Sequence, residues 1–146
     1  MDQRTALPTR SFVPSRPATI DRLAPYVLSI LRIIVALLFL EHGLSKLFGF
    51  PSPMTPPLWT MEWFSGVIEF AGGVLLTLGL FTRPAAFIMS GEMAVGYFLI
   101  HAPHGFFPYL NHGELAVMYC FVFLYLVFAG AGPWSLDALI WRKGRD

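Results

Sequence analysis

The chain places its acids by type. Every glutamate, namely Glu41, Glu62, Glu69, Glu92 and Glu114, falls in or at the edge of a long apolar run, whereas Asp2, Asp21, Asp137 and Asp146 all lie in flanking segments. An ionised side chain at the centre of a bilayer costs at least about 2.5–3.5 kcal/mol, so such a residue faces an interior and either pairs or works there. At about 100° per residue, Arg32, Ala36, Phe39, Gly43 and Lys46 share one helical stripe. Glu62, Gly66, Glu69, Gly73 and Thr77 share another, with small residues beside the acids as in closely packed membrane helices. Depth, at roughly 1.5 Å of rise per residue, puts Glu69 and Glu92 near the midplane and Arg32 in the inner half. The expected centre is therefore a buried carboxylate pair with Arg32 as its cation. Two ionised acids that close repel, so one holds a proton unless Arg32 compensates. Such a trio either passes protons or only fixes helix register, and Arg32, Glu69 and Glu92 are the catalytic candidates.

Nearer the outer edge cluster His42, Lys46, Glu62, His101, His104, His112 and Glu114. Of these, His42, Lys46, His101, Glu62 and Glu114 are the candidate ligand-binding residues of a funnel that is open outward and closed by the acid pair. Haem needs two imidazoles at similar depth on facing helices; His42 with His101 is the one pair that could supply them, while His104 and His112 lie in or beside a loop, so haem is not expected and hydrogen bonding at an interface is the preferred reading. Zinc held by His101, His104 and His112 lacks the compact helical spacing of a metalloprotease site, so no metal is expected. Cys120 has no partner cysteine in the chain, which excludes an intrachain disulfide and a CxxC pair. Glu41, off the Arg32 stripe, is placed to meet a different neighbour or a second protomer.

These residues need long apolar elements to hold them. The 146 residues are 55% hydrophobic and 13% charged, with a mean hydropathy of +0.61, which excludes an ordinary soluble domain of this size. A spanning helix takes about 20 apolar residues, and four fit. The expected fold is an all-α, integral membrane four-helix bundle with antiparallel up-down topology and spans near 25–48, 61–81, 85–102 and 112–128. Residues 1–23 read as a basic Pro/Arg-rich tail, 24–130 as the membrane domain and 131–146 as a basic C-terminal tail. The first apolar run is long enough to span and begins too late for a secretory signal, so it is expected to stay. Prolines 51, 53, 56 and 57 forbid helix between the first two spans. Basic residues Arg4, Arg10, Arg16, Arg22, Arg83, Arg142, Lys143 and Arg145 fall on one side, which puts both termini in the cytoplasm. A net charge of +1 with no continuous basic patch argues against nucleic-acid binding.

Three ordered motifs resemble the DoxX family. They are Glu41-His42-Gly43-Leu44-Ser45-Lys46-Leu47-Phe48-Gly49-Phe50, then Gly66-Val67-Ile68-Glu69-Phe70-Ala71-Gly72-Gly73 with Leu78-Gly79-Leu80-Phe81-Thr82-Arg83-Pro84, and His101-Ala102-Pro103. The resemblance runs from about Leu31 to Phe128. It implies a small bacterial plasma (inner) membrane protein of four helices, related to subunits of quinone-linked respiratory oxidation and to assemblies that handle oxidative or thiol stress. The family supplies no agreed catalytic residues, so the matching positions Arg32, His42, Gly43, Lys46, Glu69, Arg83, Glu92 and His101 are pattern residues only. The leading expectation is a quinone-interacting subunit of a membrane redox system, with quinone as the cofactor and electrons from a substrate or a partner oxidoreductase. A non-catalytic scaffold for a soluble oxidoreductase is the alternative. A small-molecule or proton carrier, working as a homo-oligomer, is the third. In every case the lipid bilayer is a partner.

Overall fold

The computed structural model describes residues 18–143, with side chains over 19–140. Most of the expected basic N-terminal tail, including Arg4, Arg10 and Arg16, lies outside the described residues. Among those described, the chain is all-helical: α1 (Ala18–Phe48), α2 (Met61–Leu78), α3 (Thr82–Gly96), α4 (Glu114–Ala129) and α5 (Leu136–Lys143). Three helical stretches are long and apolar enough to cross a membrane, Thr19–Phe48, Met61–Leu78 and Thr82–His104, and α4 is a shorter apolar helix of 16 residues.

Boundaries differ from the expected ones for local reasons. Helix α1 begins well before position 25 and carries Pro25 inside it; Pro25 and Asp21 are both exposed, so the carbonyl that proline leaves without a donor faces outward. Helix α2 stops three residues early, because Gly79 takes the left-handed conformation (φ 66°) and its N–H returns to the carbonyls of Leu75 and Leu76. Helix α3 then starts at Thr82 instead of 85, since Pro84 sits in the first turn, where its missing donor costs nothing. At its far end Pro103 cannot donate to the preceding turn. The helix widens into a π turn at Tyr97–His101 and tightens into a 3-10 turn at Ala102–His104.

Neighbouring helices run antiparallel. Gly43 lies against the backbone of Phe70 so closely that a Cβ would stand 2.5 Å from its nitrogen, and Gly73 lies against Leu40 in the same way. Across α3 and α4, Ser90 Oγ donates to the Cys120 carbonyl at 2.9 Å. Between α1 and α4, Phe39 meets Tyr119 and Phe123 edge-on, with centroids 5.1 and 4.9 Å apart. The core is small and apolar, formed by Ala36, Phe39, Leu76, Ala86, Met89 and Phe123 with their neighbours.

The outside is more apolar still. Ile30, Ile34, Leu38, Phe87, Phe98 and Phe128 are all exposed, while Ser29, Arg32, Glu69 and Ser90 are buried. Water would not support that inversion; hydrocarbon does, because there the polar groups are the ones that must find partners inside.

Within the expected C-terminal tail, residues 136–143 form the helix α5, which is docked on the bundle. Asp137 on α5 accepts from the N–H groups of Phe81 and Thr82 through Oδ1 and Oδ2, both at 2.9 Å. Phe81 is itself in the left-handed region (φ 48°), strained for a residue with a Cβ, and this carboxylate helps hold it there. Trp134 N–H donates to Ser29 Oγ at 3.2 Å, closing α5 onto α1.

Candidate functional site

One end of the molecule carries the α2–α3 turn, the start of α1 and the docked α5. The opposite end carries the 49–60 and 102–113 connections, and from that end a cavity of about 590 Å³ reaches inward between α1, α2, α3 and α4. Its walls are mainly apolar, from Phe39, Ile68, Met93, Ala116 and Tyr119, and its polar lining includes Lys46, Ser65, Glu69 and Glu92.

Register explains which cation reaches the acids. Since Leu40 faces Gly73 and Gly43 faces Phe70, each step along α1 is matched by a step back along α2. Lys46, near the end of α1, therefore comes level with the turn of α2 that bears Ser65 and Glu69. Lys46 Nζ lies 2.7 Å from Glu69 Oε1 and donates to Ser65 Oγ at 2.8 Å. Ser65 Oγ in turn donates to Glu92 Oε1 at 2.6 Å. Glu69, Lys46, Ser65 and Glu92 thus form one continuous hydrogen-bonded chain across α1, α2 and α3. Glu69 is 3% exposed, and the second oxygens of both glutamates, Glu69 Oε2 and Glu92 Oε2, are buried without a partner.

Arg32 is not part of this chain, which corrects the expected placement. Eight residues before Leu40, it comes level with the α2–α3 turn, packs against Gly79 and donates through Nη2 to the Trp134 carbonyl at 2.5 Å. It is fully buried, and its Nε and Nη1 have no hydrogen-bond partner. A cation there faces the carbonyl end of α2, where the helix dipole favours positive charge. Helix α1 simply carries two cations, the buried Arg32 and the half-buried Lys46, and antiparallel register gives the acids the second one.

The remaining expected residues divide. His42, Glu62 and His101 line the cavity, as does His112. His101 closes the π turn, and its Nδ1 lies 3.0 Å from the Asn111 carbonyl. Glu114 is the first residue of α4, exposed and outside the cavity lining, because its helix presents Leu115 and Ala116 there instead. His104 is exposed, with Nδ1 2.8 Å from the Ile100 carbonyl.

Two residues escaped sequence reasoning. Ser65, the link between Lys46 and Glu92, lies one turn before Glu69 and three residues after Glu62; that polar spacing was the available signal. Asn111 is 4% exposed and ties the 102–113 connection together, donating to the Gly105 carbonyl at 2.8 Å and accepting from Gly113 N–H at 2.9 Å. A single loop asparagine carries no such signal.

Comparison with known proteins locates the chain. A Haemophilus influenzae protein described as uncharacterized is 48% identical over 131 residues, covering 85% of this chain and 98% of its own. A second Haemophilus influenzae protein, also described as uncharacterized, is 32% identical over 77% of this chain and 82% of its own. An uncharacterized membrane protein of Mycobacterium tuberculosis is 29% identical over 92% of this chain and 94% of its own. No solved structure matches the chain. The DoxX family model matches residues 27–102, from the first third of α1 to the end of the π turn, and stops before α4, short of the Phe128 suggested by the motifs. With Lys46, Ser65, Glu69 and Glu92 all inside the matched stretch, the chain is an integral membrane protein of the DoxX family.

Proposed function

We propose that this protein is a four-helix bacterial inner-membrane subunit that binds a quinone-class ligand within a membrane redox system. The observation that carries the reading is the cavity: about 590 Å³, largely apolar, with the half-buried Lys46, Ser65 and Glu92 and the buried Glu69 in its lining. That size and that balance of many apolar walls with few placed polar groups suit a small amphiphile. Lys46, Ser65, Glu69 and Glu92 give the lining its polar end, with His42 and His101 further along it. Bound there, a quinone supplies a two-electron, two-proton couple. The chain's own part is to orient it, exclude water and hold protons along Lys46, Ser65 and Glu92. Electrons come from a substrate or a partner oxidoreductase, soluble or membrane-bound.

Access supports a lipid-soluble ligand. Ile88, Val95 and Ile100 line the cavity yet are exposed, so its rim runs along the second half of α3 and into the π turn, down the side of the molecule. Phe64 and Leu115, also exposed, continue that apolar rim on α2 and α4.

In this reading the end that bears α5 faces the cytoplasm, which the positive-inside rule supports, since exposed Arg22 and Arg83 lie there. In a Cys120→Ser background, a cysteine at Thr55 is then labelled from outside intact cells and one at Leu139 only after permeabilisation. The reverse pattern overturns this topology.

The ligand test is purification in native lipid discs, with mass spectrometry of the organic extract. Enrichment of a quinone-class compound over bulk lipid, lost in a folded Glu69→Gln, Glu92→Gln variant, supports the reading; no enrichment overturns it. The same hydrogen-bonded chain also supports a scaffold reading, because it ties three helices together. A double variant that loses abundance instead of ligand favours the scaffold.

A further inference from the structure

We propose that the outward face of α1 is a two-fold interface with a second copy of this chain, joined inside the membrane by a hydrogen bond between the two Glu41 carboxyl groups. Glu41 is exposed, on the side of α1 opposite Phe39 and Gly43, which face α4 and α2. By the register that sets Leu40 against Gly73 and Gly43 against Phe70, it stands level with position 72, roughly 16 Å from one end of α2 and 9 Å from the other. That is hydrocarbon depth, where an acid without a partner is costly. Among the described residues Glu41 forms no ion pair and no side-chain hydrogen bond. Lys46 is taken by Glu69 and Ser65, and the adjacent His42 lies on the cavity side, its ring centroid 6.3 Å from that of Phe39 and 6.2 Å from that of Tyr119.

A second copy answers this need by symmetry. Inserted in the same membrane with the same orientation, it brings its own Glu41 to the same depth. A carboxyl group that holds its proton both donates and accepts, so it is complementary to itself. Two ionised acids would repel, so the pair keeps at least one proton. The rest of the face fits such a contact. Leu23, Val27, Ile30, Ile34, Leu37 and Glu41 follow one another at alternating steps of four and three residues, the spacing of two parallel helices packed side by side. All six are exposed and five are apolar. A single polar residue on such a seam fixes its register, and the contact closes with two copies. It also leaves the cavity rim on α3 open to lipid.

The test uses the full chain in liposomes, as Cys120→Ser with donor or acceptor dye on Thr55→Cys, and reads energy transfer as lipid is added. Transfer should exceed that of random proximity and fall with dilution as a dimer dissociates. Glu41→Gln, whose amide also donates and accepts, should keep it, whereas Glu41→Leu should weaken association about three- to thirtyfold, the range for one interhelical hydrogen bond in a membrane. In native membranes, oxidation of Ile34→Cys or Leu37→Cys should give a band of twice the chain mass, and Phe87→Cys, exposed on α3, should not. No transfer above random overturns the proposal: lipid covers the face if Ile34→Cys gives no cross-link, and a foreign protein does if the cross-linked mass is not doubled. Transfer unchanged in Glu41→Leu, or cross-linking through Phe87→Cys in place of Ile34→Cys, overturns the assignment to Glu41 and α1.

Discussion

Lys46 on α1 and Glu69 on α2 meet at 2.7 Å, with the carboxylate 3% and the lysine side chain 20% exposed. The pair ties the end of one apolar helix to the middle of the next, and both partners are stranded if the other is removed. Removing one member of a buried pair costs about 3–5 kcal/mol, mostly through the charge left behind. Lys46→Met and Glu69→Gln should therefore each lower the melting temperature of the detergent-solubilised protein strongly, and the double variant should recover much of the loss. Additive losses would show that the two do not act as a pair.

Close approach of α1 and α2 depends on Gly43. A methyl group there would meet Phe70 backbone atoms at 2.5–2.8 Å, and backbone cannot step aside as a flexible side chain does. Gly43→Ala is expected to cost about 1–3 kcal/mol through forced separation of the helices. Gly91→Ala, with nothing within 4 Å of the new methyl, is the control and should be neutral or slightly stabilising. Thermal melts of the two variants decide it.

Arg32 and the glutamates sit at different ends of the fold, so their variants should separate. Arg32→Met should leave quinone-class ligand retained in the disc extract unchanged and should loosen α5, whose approach is held through the Trp134 carbonyl. Limited proteolysis of the 130–135 connection reports the second effect. Loss of ligand at wild-type folding would return Arg32 to the site.

Docking of α5 should also depend on Asp137. Its two oxygens satisfy two N–H groups at the start of α3, a cap of the kind worth about 1 kcal/mol when lost. Asp137→Ala should speed amide exchange at Phe81 and Thr82 and raise cleavage in the same connection, with the Ser65 and Glu69 turn of α2 unaffected. Uniform exchange changes throughout the chain would point to global destabilisation instead.

Asn111 makes a comparable local claim. Asn111→Ala removes its bonds to the Gly113 N–H, which keeps the Pro108 carbonyl, and to the carbonyl of exposed Gly105, at about 0.5–1.5 kcal/mol for each bond lost. Amide exchange should rise across residues 102–113, and ligand retention should fall because His101 is positioned against the Asn111 carbonyl.

Much of this was legible in one dimension. Apolar runs of spanning length, proline-rich breaks and the placing of every glutamate in those runs identify a helical membrane protein with buried acids, because hydrocarbon penalises charge wherever it lies along a helix. The three motifs identify the DoxX family. Helical stripes also put Lys46 on the face of Arg32 and Glu62 on the face of Glu69. What a stripe cannot specify is the partner, since it fixes azimuth on one helix and says nothing of its axial offset from the next. That offset is set by Gly43 on Phe70 and Gly73 on Leu40, contacts between positions about thirty residues apart. It gives Glu69 to Lys46 and sends Arg32 to the α2–α3 turn. Ser65 became a link, Glu114 fell outside the cavity and the C-terminal segment became a docked helix for the same reason: each depends on a second helix arriving at a particular height, which only close packing in three dimensions decides.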